Sequence, residues 1–559
     1  MAENNKRKLR LLARIGGLKA DIDNVNQKVT AHEGPGTRES VMDNSTSGFV
    51  CPLVGLPEGM VQIPREWRDE TKRCNLSPRN LGPSGPALDT MSKLRQHFIE
   101  EGVLRCLQLR AQIETKFPKK EVWVLYPNPS VIFPLALMAA NQASVEGNLD
   151  VIKEILNQEF GYSNQELMEG LFIVSGDQML VGRVRMIQML RECDVPGEDF
   201  RFILPGLGPL HTLMNFLKMT LKTFLGPKDG SEIGSLYAMN KKLRRQNIDE
   251  ECTNLWACMD FVKDAGEACT LALLARVSNC LNCAEFSGKV RAKRIDLAGL
   301  LVEVDGLLEY SHVEVMRSEP QEKRDMVLEN ILLFVRTSWE ARAFYKSLRG
   351  GDVGAIEHIM QIWGPQFVGA RQMNYADALM DIRVGMVEDG ELDERLKKIV
   401  KANWVINPWG RSGKFLALDE FMEEIVRNLK DLYNPGAKVL DNFTREVTAR
   451  NVVFLMRIKE EVRVAMGERR RGGHHVKQDR SGDVIALADH LLLEDVVHFI
   501  PGRGGKEVSD LEIEGYERMN EGEWWHDFLN RSPGCSRTLR NTARLNISVV
   551  EQYAGNLFD

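Results

Sequence analysis

The sequence predicts an α/β protein whose mixed sheet is interrupted by a large helical region. Two patterns carry this expectation. Between residues 170 and 225, short apolar runs ending at glycine or proline alternate with helical stretches: GLFIVSGDQM, VGRVRMIQMLREC, FRFIL and HTLMNFLKMTLKTFL. That is the strand–helix–strand–helix order of an α/β core. From 235 to about 405 the apolar spacing becomes helical throughout, as in TNLWACMDFVKDAGEACTLALLARV and MVLENILLFVRTSWEARAFYKSLR. With 559 residues, the chain has room for roughly three to four domains, or one large core with insertions.

The elements follow in order. Residues 18–23, 26–32 and 47–54 are candidate strands, with Gly34-Pro35-Gly36 breaking the chain between the second and third. Residues 55–90 are rich in proline, glycine and charge and read as connection. Helical spacing returns over 91–115, with Leu94, Phe98 and Leu107 apolar. VWVLY at 122–126 reads as a buried strand stopped by Pro127 and Pro129, and 144–158 as a helix. Strands are expected at 171–174 and 200–204. The helix from 211 is apolar on most faces and so buried. After NPWGRSGKF, Asp419 is placed to cap the helix DEFMEEIVRNLKDLY. Beyond 466 the chain is polar and weakly patterned, read as partly disordered.

Composition removes several classes. The charge balance of 73 Lys+Arg against 79 Asp+Glu gives −6, and 43% hydrophobic residues are ordinary for a globular chain. No stretch approaches the roughly 20 apolar residues of a membrane helix. MAENNKRKLRLLARIGG holds no apolar run fit for a secretory signal. Among ten cysteines only Cys280 and Cys283 form a C-x-x-C pair, and no second pair completes a zinc site. A reducing, intracellular setting fits this usage. The slight acidity argues against a dominant nonspecific grip on nucleic acid, while leaving room for local basic stretches.

Three carboxylates stand out. Asp177 follows a strand and a glycine and precedes a helix, so it belongs to the carboxyl edge of the sheet, where ligand sites collect. The simpler role for it is a helix N-cap. Asp23 ends the first candidate strand, and Glu423 lies on a late helix. Such oxygens bind hard divalent cations, and a pair of those ions serves phosphodiester chemistry. Among 79 acidic residues, spacing alone does not separate this set from solvated surface. Lys6, Arg7, Lys8 and Arg10, and later Arg469, Arg470 and Arg471, form basic clusters compatible with nuclear import, nucleic-acid contact or plain solvation. His474-His475 lack further ligands. Gly502-Arg503-Gly504-Gly505-Lys506 lacks the ending and setting of a phosphate loop. Trp524-Trp525 suits a small packed cluster better than base stacking.

GDQMLVGRVRMIQMLRE followed by FRFILPGLGPLHTLMNFLK resembles a large, mostly fungal family of unknown function whose members look related to transposases with a ribonuclease H-like core. SVEGNLDVIKEI, MDNSTSGFVCPL, GARQMNYADALM, NWVINPWGRSGKF and LDEFMEEIVRNLK match further blocks in order, so the resemblance spans roughly residues 20–460. It implies a ribonuclease H-like mixed sheet interrupted by an all-helical insertion, with a polar C-terminal tail. Residues 1–234 would be the core, with an irregular insertion at 55–120. Residues 235–405 would be the helical insertion, 406–465 the closing helices and 466–559 the tail. Asp23, Asp177 and Glu423 would then be catalytic and hold Mg2+ or Mn2+ for DNA strand cleavage or transfer. Arg183, Arg185, His211 and Asn215 would meet the nucleic acid. Two departures point to the alternative of an inactive, domesticated scaffold binding nucleic acid or a protein partner. Only 22 residues precede Asp23, and Asn141 stands where an acidic residue is expected.

Overall fold

The computed structural model describes residues 2–29, 41–140, 144–191, 194, 198–432, 443–467, 479–520 and 523–530. Asn141, the 34–36 break, Arg469–Arg471 and His474-His475 lie outside them. The strands are β1 (Leu18–Val29), β2 (Val41–Pro52), β3 (Ile63–Pro64), β4 (Phe133–Pro134), β5 (Gly170–Gly176) and β6 (Ile203–Leu207). They form one mixed sheet in the order β4-β2-β1-β5-β6, with β3 on the start of β5. β1 runs antiparallel to β2 along its whole length, from Leu18↔Pro52 to Val29↔Val41. It runs parallel to β5 (Lys19↔Ile173, Asp21↔Ser175), and β5 is parallel to β6. β5 is buried along its whole length, as its unbroken apolar run requires of a central parallel strand.

The strand expectations need three corrections. The candidates at 18–23 and 26–32 are one strand, because pairing with β2 carries the backbone straight through the polar Asp23–Asn24 step. The third antiparallel strand is β4, reached only after the long excursion that follows β2. VWVLY is not a sheet strand. Asp352 takes the Val122 and Trp123 amides at 3.1 and 2.9 Å, so a side chain satisfies donors that a sheet neighbour would have bound. β6 also starts later than FRFIL and runs through Pro205, which the edge of a sheet tolerates.

The main helices are α1 (Ala2–Ile15), α2 (Gly85–Cys106), α3 (Val145–Lys153), α4 (Gln178–Leu190), α5 (Pro209–Phe224), α6 (Leu255–Val277), α7 (Met326–Gly350), α8 (Val353–Gly369), α9 (Met373–Met386), α10 (Leu418–Leu432), α11 (Val452–Ala465), α12 (Ser481–Leu493) and α13 (Leu511–Asn520). Alternation along β1 sends Leu18, Ala20 and Ile22 to one face, against α1, α3 and α4. Val25, with Phe49 and Cys51 of β2, meets Phe421, Met422 and Ile425 of α10 on the other. Phe49 and Phe421 pack edge-on at 5.4 Å.

The helical body is larger than its sequence pattern. α5 leaves the sheet and enters it, where Phe216 stacks on Trp363 at 3.9 Å. α2, the helix expected over 91–115, joins it and starts earlier, within the stretch read as connection. Residues 479–520, expected to be weakly ordered, fold back as α12 against α6 and α13 against α8. α13 lies so close that a Cβ on Gly515 would fall 1.9 Å from the Pro365 carbonyl oxygen, an approach only glycine permits. Trp524 and Trp525 pack with Phe528 at ring distances of 5.3 Å. Cys280 and Cys283 are buried free thiols around the start of the Cys283–Arg291 helix. Among the described residues no helix is long and apolar enough to cross a membrane.

Candidate functional site: a carboxylate cluster at the sheet edge

β1 supplies the base of the site. In LKADIDNV the period of two places Lys19, Asp21, Asp23 and Val25 on the face covered by α10. β5 ends at the same edge, one residue before Asp177. A Cβ on Gly176 would lie 2.8 Å from the Ile22 carbonyl oxygen, so the two chains run side by side up to Asp23 and Asp177. α10 contributes Asp419 and Glu423, one helical turn apart. Asp21 and Asp419 are buried, Asp23 and Asp177 are half-buried, and Glu423 is exposed. The acidic groups thus grade from the interior outward to solvent.

Asp419 does not cap its own helix; it caps α5. Its carboxylate accepts the Leu210 amide at 3.1 Å, the His211 amide at 2.8 Å and makes a 2.9 Å hydrogen bond with His211 Nδ1. Gly208 lacks a side chain where one would collide: a Cβ there would lie 2.3 Å from Asp419 Oδ2. The contact ties the sheet-side helix α10 to the helix that enters the helical body. It also fixes the imidazole, whose Nε2 lies 3.7 Å from Glu423 Oε1.

Burial and neighbouring charge together shift the titration of these groups. Burial first, then the charge of Glu423, lift Asp23 to about 6, with Asp177 adding in the same direction. Burial pushes Asp21 well above the usual carboxylate range, and Asp419 and Asp23 add to it. Among the described residues, neither Asp21 carboxylate oxygen has a hydrogen-bond partner. For His211, burial opposes the charge. The Asp419 hydrogen bond and the charges of Asp419, Asp23 and Glu423 outweigh it and raise the ring to about 9. Behind Asp21, burial lowers Lys19 to about 8, and its amine donates to the Asn403 carbonyl at 3.1 Å. Tyr375 of α9 brings in the helical body: burial raises its hydroxyl, with Asp177 and Asp419 contributing.

The expected site residues therefore have distinct surroundings. Asp23, Asp177, Glu423 and His211 share one neighbourhood. Asp177 is also the N-cap of α4, accepting the Leu180 amide at 2.8 Å. Asn215 donates to the His211 carbonyl at 2.9 Å. Arg183 is half-buried on α4. Arg185 is ion-paired with Asp381 of α9, within a network that includes Arg73, and so joins the sheet to the helical body. In the N-terminal basic cluster, Lys6 lies 3.5 Å from Glu159 and Arg10 donates to the Gln158 carbonyl.

Asp21, Lys19 and Tyr375 do not stand out in the sequence, and Asp419 does so only as a helix cap. Asp21 lies two residues before Asp23 on one strand face, and Asp419 four before Glu423 on one helix face, so both periodicities held a signal. The donor set is all hard oxygen, which fits a divalent cation better than a soft metal. Among the described residues, however, no three His, Cys, Asp or Glu groups are drawn together as a ready ligand set.

No curated protein and no solved structure matches the chain. The matching family model covers residues 87–475, so it takes in Asp177, His211 and the acidic face of α10 and begins after Asp21 and Asp23. By that match the chain belongs to DUF6589, a family of unknown function.

Proposed function

We propose that the chain is a transposase-like protein with a ribonuclease H-like core, and that its carboxylate cluster serves metal-dependent phosphoryl transfer on DNA. The observation that carries this reading is the crowding of Asp21, Asp23, Asp177, Asp419 and Glu423 at one sheet edge, where two of them are held above their ordinary pKa. Burial first, and mutual repulsion after it, make these charges unfavourable for folding, and a bound cation relieves both. Strand order supports it too: three antiparallel strands and two parallel ones, with acids on the first strand and just after the central parallel strand.

Asp23, Asp177 and Glu423 would hold Mg2+ or Mn2+. Bound ions of this kind supply an activated water and charge stabilisation of the leaving oxygen. His211, clamped by Asp419, keeps a positive group beside these carboxylates and in reach of a phosphate oxygen. The buried Asp21 and Lys19 give the site a closed inner wall, and exposed Glu423 its open side. A DNA substrate implies work in the nucleus or wherever else the cell keeps DNA.

The test is cleavage of duplex and branched DNA by the full chain with Mg2+ or Mn2+. Asp177→Asn should abolish cleavage while keeping the melting temperature, because the asparagine oxygen still accepts from Leu180. Unchanged cleavage by this variant refutes the assignment. One observation favours a scaffold without chemistry: the ligand oxygens are not already gathered, and one Asp177 oxygen is engaged as a cap. On that reading Mg2+ leaves the melting temperature unchanged and no cleavage is seen.

A further inference from the structure

On the helical side, two loops meet and hold aromatic rings in water. Asn407 builds the first, Asn407–Phe415, from within. Its Nδ2 donates to the Arg411 carbonyl at 2.9 Å, its Oδ1 accepts the Arg411 amide at 3.2 Å, and its carbonyl accepts the Gly410 amide at 3.2 Å. Gly410 and Gly413 take the left-handed backbone that this compact turn needs. The second loop, 116–131, docks on it. The Ser130 amide donates to the Asn407 carbonyl at 2.8 Å, and Ser130 Oγ accepts the Asn407 amide at 2.9 Å. A Cβ on Gly410 would lie 2.7 Å from Pro129. Trp409 adjoins that contact from one side and Tyr126 lies three residues from it on the other. They are 50% and 80% exposed.

A tightly bonded loop that keeps an indole half in water leaves half of that ring's burial unused for folding. The charge of the same two loops is the second observation. Residues 116–131 and 407–415 carry five Lys or Arg against Glu121 alone, in a chain whose net charge is −6. A local positive field beside exposed flat rings matches a polyanion whose bases are free to stack. Duplex DNA hides those faces, whereas a single strand offers them.

We propose that Trp409 and Tyr126, with Lys119, Lys120, Arg411 and Lys414, form a docking surface for single-stranded DNA. The rings take bases and the cations take phosphates. This proposal does not depend on the reading given to the carboxylate cluster.

The experiment is fluorescence anisotropy of a labelled oligothymidine with the full chain in EDTA, so that no metal-dependent chemistry enters. Binding should weaken as salt rises. Trp409→Ala should weaken it about tenfold, within the range of one lost base stack, and Trp409→Phe should recover most of the loss. Arg411→Glu with Lys414→Glu should reduce the salt slope by about 1.4, the contribution of two phosphate contacts on a single strand. All three positions are at the surface, and unchanged circular dichroism and melting temperature will show that the variants fold. Wild-type affinity in these variants, equal affinity for duplex and single strand, or no binding at low salt would each overturn the proposal. Absence of DNA cleavage by the wild-type chain, with this binding intact, would count against the carboxylate reading alone.

Discussion

Replacing Asp23 by asparagine should make the protein more stable at neutral pH. The folded carboxyl titrates at about 6 against an ordinary value of 3.8, because burial and Glu423 disfavour its charge. A raised carboxyl binds its proton more tightly in the folded state. Its contribution is therefore fully present below pH 3.8 and is lost as pH rises through 6. The shift corresponds to about 3 kcal/mol, at about 1.4 kcal/mol per unit. Asn24 donates to Asp23 Oδ1 at 2.7 Å, a bond the asparagine oxygen can keep. Part of the gain is offset because Asp23 also helps to hold the His211 proton. The net expectation is a stabilisation of about 1–3 kcal/mol near pH 8, shrinking toward zero near pH 4. Urea unfolding of both proteins across that range measures it. Adding Mg2+ should narrow the gap by stabilising only the wild type. A variant that is equally or less stable near pH 8 would show that Asp23 is not held against its neighbours.

Asp419→Ala removes three hydrogen bonds at the start of α5 and releases His211. It should cost about 2–4 kcal/mol, and the His211 ring measured by NMR should fall from about 9 toward its ordinary value. The stability that His211 adds is full below about 6.5 and disappears as pH rises through 9, so the gap between wild type and variant should narrow in alkali to the cost of the two lost amide caps. Arg450 holds both oxygens of buried Glu159 at 2.7 Å. Arg450→Ala should therefore destabilise by about 3–5 kcal/mol in thermal unfolding, and Arg450→Met with Glu159→Gln by less, since no buried charge is left alone.

Local chemistry made much of the core legible. GLFIVSG is apolar enough to be only an inner strand, GDQ announces a helix start, and the 3.6-residue spacing over 235–405 requires helices. The acidic positions Asp23, Asp177 and Glu423 were visible as candidates for the same reason, each at the end of a strand or on a helix face. What failed were the places where a distant segment satisfies the backbone. VWVLY lost its strand to the Asp352 carboxylate, 230 residues from Val122. Asp419 was assigned to its own helix and caps one 209 residues away from it, at Leu210.

The sequence by itself determined the kinds of element and the residues able to carry charge at their ends, because periodicity, turn chemistry and capping act over a few residues. Only the tertiary structure decided which of those charges meet. Asp21 and Asp23 face Asp419 and Glu423 because β1 and α10, nearly 400 residues apart, bury their apolar positions against each other. Their acidic positions are carried into the same gap, where burial and mutual repulsion set the electrostatics of the site.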